Sequence, residues 1–375
     1  MIEFKNVSKS YDKKTVVKNI SFKVEKGELV VLIGLSGCGK TTLLRMINKL
    51  IKPTSGSIYI DGKNIEFTDE ILLRRNIGYV IQQTGLFPHM TIRKNIEIIP
   101  RLQKMNPTKI AQNSIALMEM VGLDPKIYLD RYPSELSGGQ QQRIGVARAF
   151  ACDPDIILMD EPFSALDPIT RCQLQDEMVG IQAKYKKTIV FVTHDMNEAI
   201  KLADKICIIN NGDIQQFDTV ETIMREPANE FVTEFIGRNR IWSVPELIKI
   251  EDVMITDPIC APPELSVLKC IEKMRGNKID HILITDKNKI LLGILSAKKA
   301  QTCADKSVSA SKIMNTEFIS FTGGQSMTDA LETVTKENMS TIPVLKGKEL
   351  IGLVTRSSLL TAISQQYIGE TEDKV

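Results

Sequence analysis

Residues 34–41 read Gly-Leu-Ser-Gly-Cys-Gly-Lys-Thr, an instance of G-x-x-x-x-G-K-[ST] that follows the apolar run Leu29-Val30-Val31-Leu32-Ile33. A glycine-rich turn between a strand and a helix lets main-chain N–H groups wrap an anion at the helix start, so this spacing predicts a phosphate-binding loop. Within it Lys40 is placed to reach β- and γ-phosphates and Thr41 to hold Mg²⁺. A second chemistry-bearing element is residues 156–161, Ile-Ile-Leu-Met-Asp-Glu, four apolar residues followed by two acids. A buried strand ending there sets Asp160 beside the metal and Glu161 where it can take a proton from an attacking water. By itself an acid pair at a strand end reads equally as solvated; with the phosphate loop it points to nucleotide hydrolysis.

Leu136-Ser137-Gly138-Gly139-Gln140 lies just upstream of that strand. The pentapeptide resembles the signature of the ABC ATPases, and the other motifs of that family follow in order over residues 1–237. Tyr11 matches the aromatic that stacks on adenine, and Gln82 matches the Q-loop glutamine, Gln83 being the neighbouring alternative. Residues 164–167, Ser-Ala-Leu-Asp, match the D-loop, and His194 in Val-Thr-His-Asp matches the switch histidine. The resemblance implies that Glu161 and His194 are catalytic and that Thr41, Gln82 and Asp160 surround Mg²⁺. It further implies that ATP is held by Tyr11, by Gly34, Ser36, Gly37, Cys38 and Gly39, and by Lys40, Thr41 and Thr42. Gln82, Ser137, Gly138, Gly139, Gln140 and Asp167 complete the set. Two cassettes of such proteins sandwich two ATP molecules head to tail, Ser137 and Gly139 of one copy facing the phosphate loop of the other. A second copy of the chain is therefore an expected partner, with a membrane permease and its extracellular substrate-binding protein.

The elements that must position these residues are those of an α/β fold. Residues 1–24 alternate as two strands about a polar turn at residues 12–14, and apolar β-branched runs at 155–159, 188–193 and 206–209 read as strands buried on both faces. Residues 90–150 carry a helical pattern and no strand-like run, which predicts an inserted helical subdomain. The family implies a P-loop cassette with an antiparallel β subdomain over residues 1–237.

Beyond residue 237 the chain repeats. Met254 and Met314, Ile259 and Ile319, and Ser266 and Ser326 match at one offset, and Gly293-Ile-Leu-Ser296 matches Gly352-Leu-Val-Thr355 one residue closer. Each unit of about 60 residues reads as turn, helix, strand, strand, helix, too small to bury much core alone, so the two are expected to pack together. They resemble a pair of CBS domains, an α+β module, assigned to residues 251–308 and 309–366 after a linker at 238–250 that carries Trp242; residues 367–375 read as an acidic tail. CBS units that bind AMP or ATP usually carry an Asp three residues after the Ser or Thr of the final strand. Here Lys299 follows Ser296 and Ser358 follows Thr355. That departure speaks against AMP and leaves three readings: a cyclic dinucleotide such as cyclic di-AMP, ionic strength, or dimerisation only. Arg356, after Thr355, is either a phosphate partner or a solvated helix-start residue.

Cassette, Q-loop text at residues 77–92 and tandem repeat together resemble the ATPases of glycine betaine, carnitine and choline importers; importers of methionine, sugars or anions are the alternative. Composition agrees with such a role. Lys plus Arg is 48 against 46 for Asp plus Glu, which gives no footprint for nucleic acid. Seven scattered cysteines and three histidines supply no zinc spacing. Soluble relatives acting on DNA or ribosomes carry two cassettes or a coiled-coil insertion, and neither is present. With no apolar run of about 20 residues and no signal-peptide pattern, the chain is expected at the cytoplasmic face of the plasma membrane.

Overall fold

The strands of the N-terminal part are β1 (Ile2–Tyr11), β2 (Lys14–Val24), β3 (Leu29–Gly34), β4 (Ser55–Ile60), β5 (Lys63–Asn64), β6 (Ile77–Val80), β7 (Ile156–Asp160), β8 (Thr188–Val192), β9 (Lys205–Asn210) and β10 (Asp213–Thr219). They belong to a computed structural model that describes residues 1–12, 14–82, 85–164, 166–237, 244–337 and 339–362. Gln83, Ala165 of the D-loop, the linker residues 238–243 with Trp242, the end of the second repeat (363–366) and the tail lie outside the described residues. The chain divides into two units, Met1–Ile236 and Gly237–Val375.

In the first unit β2-β1-β4-β5 form an antiparallel sheet, and β10-β9-β3-β8-β7-β6 a second sheet that is parallel except for its β10 edge. Every residue of β3, β7 and β8 is buried, as strands covered on both faces must be. Register decides where the site lies. Leu32 and Asp160 both pair with Val192, so β3, β7 and β8 end side by side, and the segments after them emerge on one edge. The helix Lys40–Ile47 packs Leu43, Leu44, Met46 and Ile47 into the core beneath that edge.

Between residues 85 and 150 the described residues form helices at Ile92–Leu102, Pro107–Met120, Pro125–Tyr128 and Gly138–Phe150, and no strand. Several starts are readable in the sequence. Thr91, Asn106 and Ser137 each accept a main-chain N–H of the first turn, and Ser137 with Gln140 closes a capping box. The strand β10 is polar (Asp-Ile-Gln-Gln-Phe-Asp-Thr) and carries little apolar alternation. Its signal is the turn before it: Asn211 and Gly212 both take positive φ, the mark of a tight two-residue hairpin.

The second unit holds two sheets, β11 (Cys260–Ala261), β12 (His281–Thr285) and β13 (Leu291–Ser296), then β14 (Phe321–Thr322), β15 (Thr341–Lys346) and β16 (Glu349–Thr355). The two-residue strands β11 and β14, parallel to their neighbours, were not in the expected order of elements; they are too short to show a period. The packing crosses the expected boundaries. Ile248 and Ile250, expected in a linker, are buried in the core of the second repeat beside Met327, Ile342 and Val344. Ala310, Ile313 and Met314, expected to open the second repeat, pack in the core of the first. Ile255 bridges Leu353 on β16, and Asn315 bridges Ile294 on β13. Met254 lies over Gly352 and Met314 over Gly293, both so close that a Cβ on either glycine would meet the methionine at 2.5 to 2.9 Å. Each repeat therefore lends its lead-in segment to the other.

Candidate functional site

The loop after β3 reverses the chain with left-handed or extreme glycine torsions. Gly34, Gly37 and Gly39 have φ of 154°, 79° and 109°. A Cβ on Gly34 would lie 2.0 Å from the Ile209 carbonyl oxygen, whereas Gly37 has nothing within 4 Å. Gly34 is thus required by the fold, and Gly37 keeps the exposed crest beside Ser36 open. Gly34→Ala is expected to cost about 1–3 kcal/mol and to weaken nucleotide binding; calorimetric unfolding and nucleotide titration of the purified chain check both. Lys40 is buried, with its ammonium donating to the Gly34 carbonyl at 2.7 Å and the Leu35 carbonyl at 3.0 Å. Cys38, expected among the nucleotide contacts, turns its side chain into the core with Sγ 3.8 Å from Lys40 Nζ, and its N–H closes a turn on Leu35.

Two groups of predicted residues converge at the strand ends. The Thr41 hydroxyl donates to Asp160 Oδ1 at 2.9 Å. Asp160 is 5% exposed, and burial raises its pKa, opposed by the Thr41 bond and the charge of Arg45. Hydroxyl and carboxylate oxygens at this separation suit a hard divalent cation. Among the described residues no group of three His, Cys, Asp or Glu could hold a metal alone, so an ion here would share its shell with phosphate.

The second group centres on Glu161. Its Oε2 accepts from Gln82 Nε2 at 3.0 Å and lies 3.4 Å from His194 Nδ1. Gln82 arrives there because β6 runs parallel to β7 with Val80 level with Met159. Glu161 has φ of 43°, a left-handed torsion worth about 1–3 kcal/mol for a residue with a Cβ. Its N–H bond to the Val192 carbonyl, 3.0 Å, holds that turn. Behind His194, the Thr193 hydroxyl donates to the buried Glu198 at 2.6 Å, and burial raises the Glu198 pKa.

The remaining residues form a separate group. Ser137 is exposed and caps the helix Gly138–Phe150; Gln140 returns its Oε1 to the Ser137 N–H at 2.9 Å and donates to Tyr128 Oη at 3.2 Å. Gly139 faces the D-loop helix, where a Cβ would come 2.6 Å from Thr170 Cγ2. Asp167 is exposed and caps the helix Pro168–Tyr185 through the Thr170 N–H; the Thr170 hydroxyl and then this N–H lower its pKa. Among the described residues no hydrogen bond or ion pair joins residues 137–140 to the phosphate loop. Tyr11, at the end of β1, is 44% exposed with the Lys9 ammonium 5.0 Å from its ring centre. Thr42 is half-buried in the first turn of its helix.

In the second unit Ser296 caps the helix Ala297–Thr302, and Thr355 exchanges bonds with Ser358. Arg356 is neither purely solvated nor aimed at a ligand alone, since its Nε donates to the Met339 carbonyl at 3.0 Å. His281, opposite Ser296 in register, has a buried Nδ1 without a hydrogen-bond partner, and burial lowers its pKa. Sequence reading passed over His281, as it did Tyr128, Asn95 and Arg148; none stands in a motif.

Comparison with known proteins gives three results. A family model described as ABC transporter matches residues 17–164, and one described as CBS domain matches residues 250–300 and 310–365. The choline transport ATP-binding protein OpuBA of Bacillus subtilis is 45% identical over 99% of this chain and 98% of its own. The glycine betaine/carnitine/choline transport ATP-binding protein OpuCA of the same organism is 44% identical over 100% and 99%. Among solved structures, a dimeric ATP-binding cassette, MJ0796, bound to ADP and Pi, is 34% identical, with a TM-score of 0.54 over 59% of this chain and 99% of that one.

Proposed function

We propose that this chain, which belongs to the ABC transporter family of ATP-binding subunits, powers uptake of a quaternary-amine solute such as glycine betaine, carnitine or choline. The observation that carries the reading is the meeting of Gln82, Glu161 and His194 beside the Thr41–Asp160 pair, in a chain alike from end to end to the ATPases of choline and glycine betaine transport. Glu161 takes the proton of a water that attacks the γ-phosphorus of ATP, while Gln82 and His194 hold its carboxylate in place. Lys40 supplies positive charge to the β- and γ-phosphates. Mg²⁺ held by Thr41 and Asp160, with Gln82 adjacent, would neutralise charge on the same oxygens.

Ser137 and Gly139 complete the site of a second copy, consistent with the exposure of Ser137 and with the dimer of the MJ0796 cassette. Among the described residues no helix is long and apolar enough to cross a membrane, so translocation falls to a permease, which a substrate-binding protein loads from outside. The CBS pair sets the rate, with cyclic di-AMP as the ligand we favour. Ser296 and Thr355 keep the strand ends of a nucleotide site, the ribose-binding acids are absent, and the His281 nitrogen lies unbonded beside Ser296.

Reconstitution of the chain with its permease and binding protein in vesicles tests the whole. ATP-dependent uptake of labelled glycine betaine, carnitine or choline is expected, with micromolar cyclic di-AMP on the cassette side slowing it severalfold. Uptake of methionine or a sugar instead would move the substrate to the alternative class. Insensitivity to the dinucleotide, with activation by salt that disappears on deleting residues 244–375, would make the repeats an ionic sensor.

A further inference from the structure

The segment after Gln82 is tied down at two places outside the group just described. Arg148 Nη1 donates to the Gly85 carbonyl at 2.7 Å. Asn95, wholly buried, accepts the Phe87 N–H at 2.7 Å and donates to the carbonyls of Phe87, Met90 and Thr91, each at 3.1 Å. Asn95 belongs to the helix that follows directly, so its bonds close a local turn. Arg148 does not. It sits near the end of the helix Gly138–Phe150, whose first residue is capped by Ser137.

A helix is stiff along its axis, and the eleven steps from Ser137 to Arg148 span about 16 Å at 1.5 Å each. Gly85 is three residues past Gln82, so at 3.8 Å per step their Cα atoms stay within about 11 Å. A rod thus runs from the exposed signature serine to the neighbourhood of the side chain that holds Glu161. The acceptor is a main-chain carbonyl, so the tie needs no particular residue at position 85. Burial of part of the side chain lowers the Arg148 pKa, and its charged donor makes the stronger kind of hydrogen bond.

We propose that Arg148 is a positioning residue for ATP hydrolysis, linking the signature helix to the Q-loop so that engagement of Ser137 by a second copy steadies Gln82 on Glu161. This rests on the roles given to Gln82, Glu161 and Ser137 above. Arg148 touches no reacting atom; removing it leaves the phosphate loop intact and loosens the path by which one site reports on the other.

The full chain serves for the test, with Arg148→Met and Arg148→Lys. For Arg148→Met, displacement of a fluorescent ATP analogue is expected to give an affinity within about twofold of wild type, with kcat about tenfold lower at unchanged KM. Amide hydrogen exchange of peptides covering residues 82–88 should quicken, while peptides of β3 and β8 keep their protection. Arg148→Lys, which retains a charged donor, should recover most of both effects. The proposal is overturned if kcat is unchanged, if kcat and affinity fall together without rescue by lysine, or if exchange at residues 82–88 does not respond. Should Arg148→Met fail to fold, Arg148→Gln replaces it under the same criteria. If wild-type chain hydrolysed no ATP, the functional reading would fail, whereas the exchange data would still report whether the tie exists.

Discussion

Glu161→Gln is expected to lower ATP turnover by about 10²–10⁴-fold, the usual worth of a positioned general base, while ATP binding survives. Glutamine keeps the shape of the side chain and can still accept the Gln82 amide, which now bonds Glu161 Oε2 at 3.0 Å. It cannot take a proton. The step after binding stops, and the paired, ATP-loaded state should accumulate. Turnover under saturating ATP, together with light scattering of the chain with and without ATP, reads both consequences. Hydrolysis within a few-fold of wild type would remove Glu161 from its role. Lys40→Ala differs in kind, because the ammonium belongs to the phosphate loop itself, so binding should fail first.

The second large effect is a recovery. Chains carrying Ser137→Arg and chains carrying Lys40→Ala are each expected to be inactive, and an equal mixture is expected to regain about a quarter of wild-type activity. Random pairing makes half of the dimers mixed, and each mixed dimer unites one sound loop with one sound signature. The head-to-tail arrangement predicts sharing of this kind. Gly139 and Asp167 meet at Thr170 of the helix Pro168–Tyr185, Ser137 lies two residues before Gly139, and among the described residues no hydrogen bond joins Ser137, Gly139 or Asp167 to Lys40 or Thr41. Losing the Ser137 cap costs about 1 kcal/mol, so circular dichroism of each mutant must show a folded chain before mixing. A mixture that stays inactive while both mutants fold and pair would mean that no site is built from two chains, or that the two sites must fire in turn, so that the one sound site fires once and stalls. Measuring phosphate release from a single turnover separates those outcomes, since only the second leaves a burst.

Much of the catalytic edge was legible in the sequence, for a physical reason. Strands buried on both faces have unbroken apolar composition, so β3, β7 and β8 announce themselves, and parallel strands carry the chemistry at one end. Pattern alone does not separate Gln82 from its neighbour Gln83; it is the register of β6 against β7 that brings the Gln82 amide to Glu161. The direction of Cys38 could not be read, because a glycine-rich loop has no period to tell inside from outside. Arg148 was silent for a similar reason: a cation in Val-Ala-Arg-Ala-Phe reads as a helix surface residue, and its acceptor is a main-chain carbonyl 63 positions away. The C-terminal repeat was plain as a repeat, but its offset of matching methionines and glycines did not reveal that Met254 covers Gly352 and Met314 covers Gly293. Pattern matching pairs like with like; packing paired each with the other's complement.

That exchange bears on how the repeats unfold. A pair of self-contained modules would open independently, each with its own free energy. Here opening either one strips Ile250 or Met314 from a neighbour's core and breaks the Ile255–Leu353 or Ile294–Asn315 bridge. The hairpin tips are stitched as well, by Leu291 N–H to the Lys348 carbonyl and Leu350 N–H to the Lys289 carbonyl. The two repeats thus constitute one foldon, with interlocked contacts of long sequence separation and slow assembly to match. Half of it, expressed alone, is not a smaller module but an incomplete core.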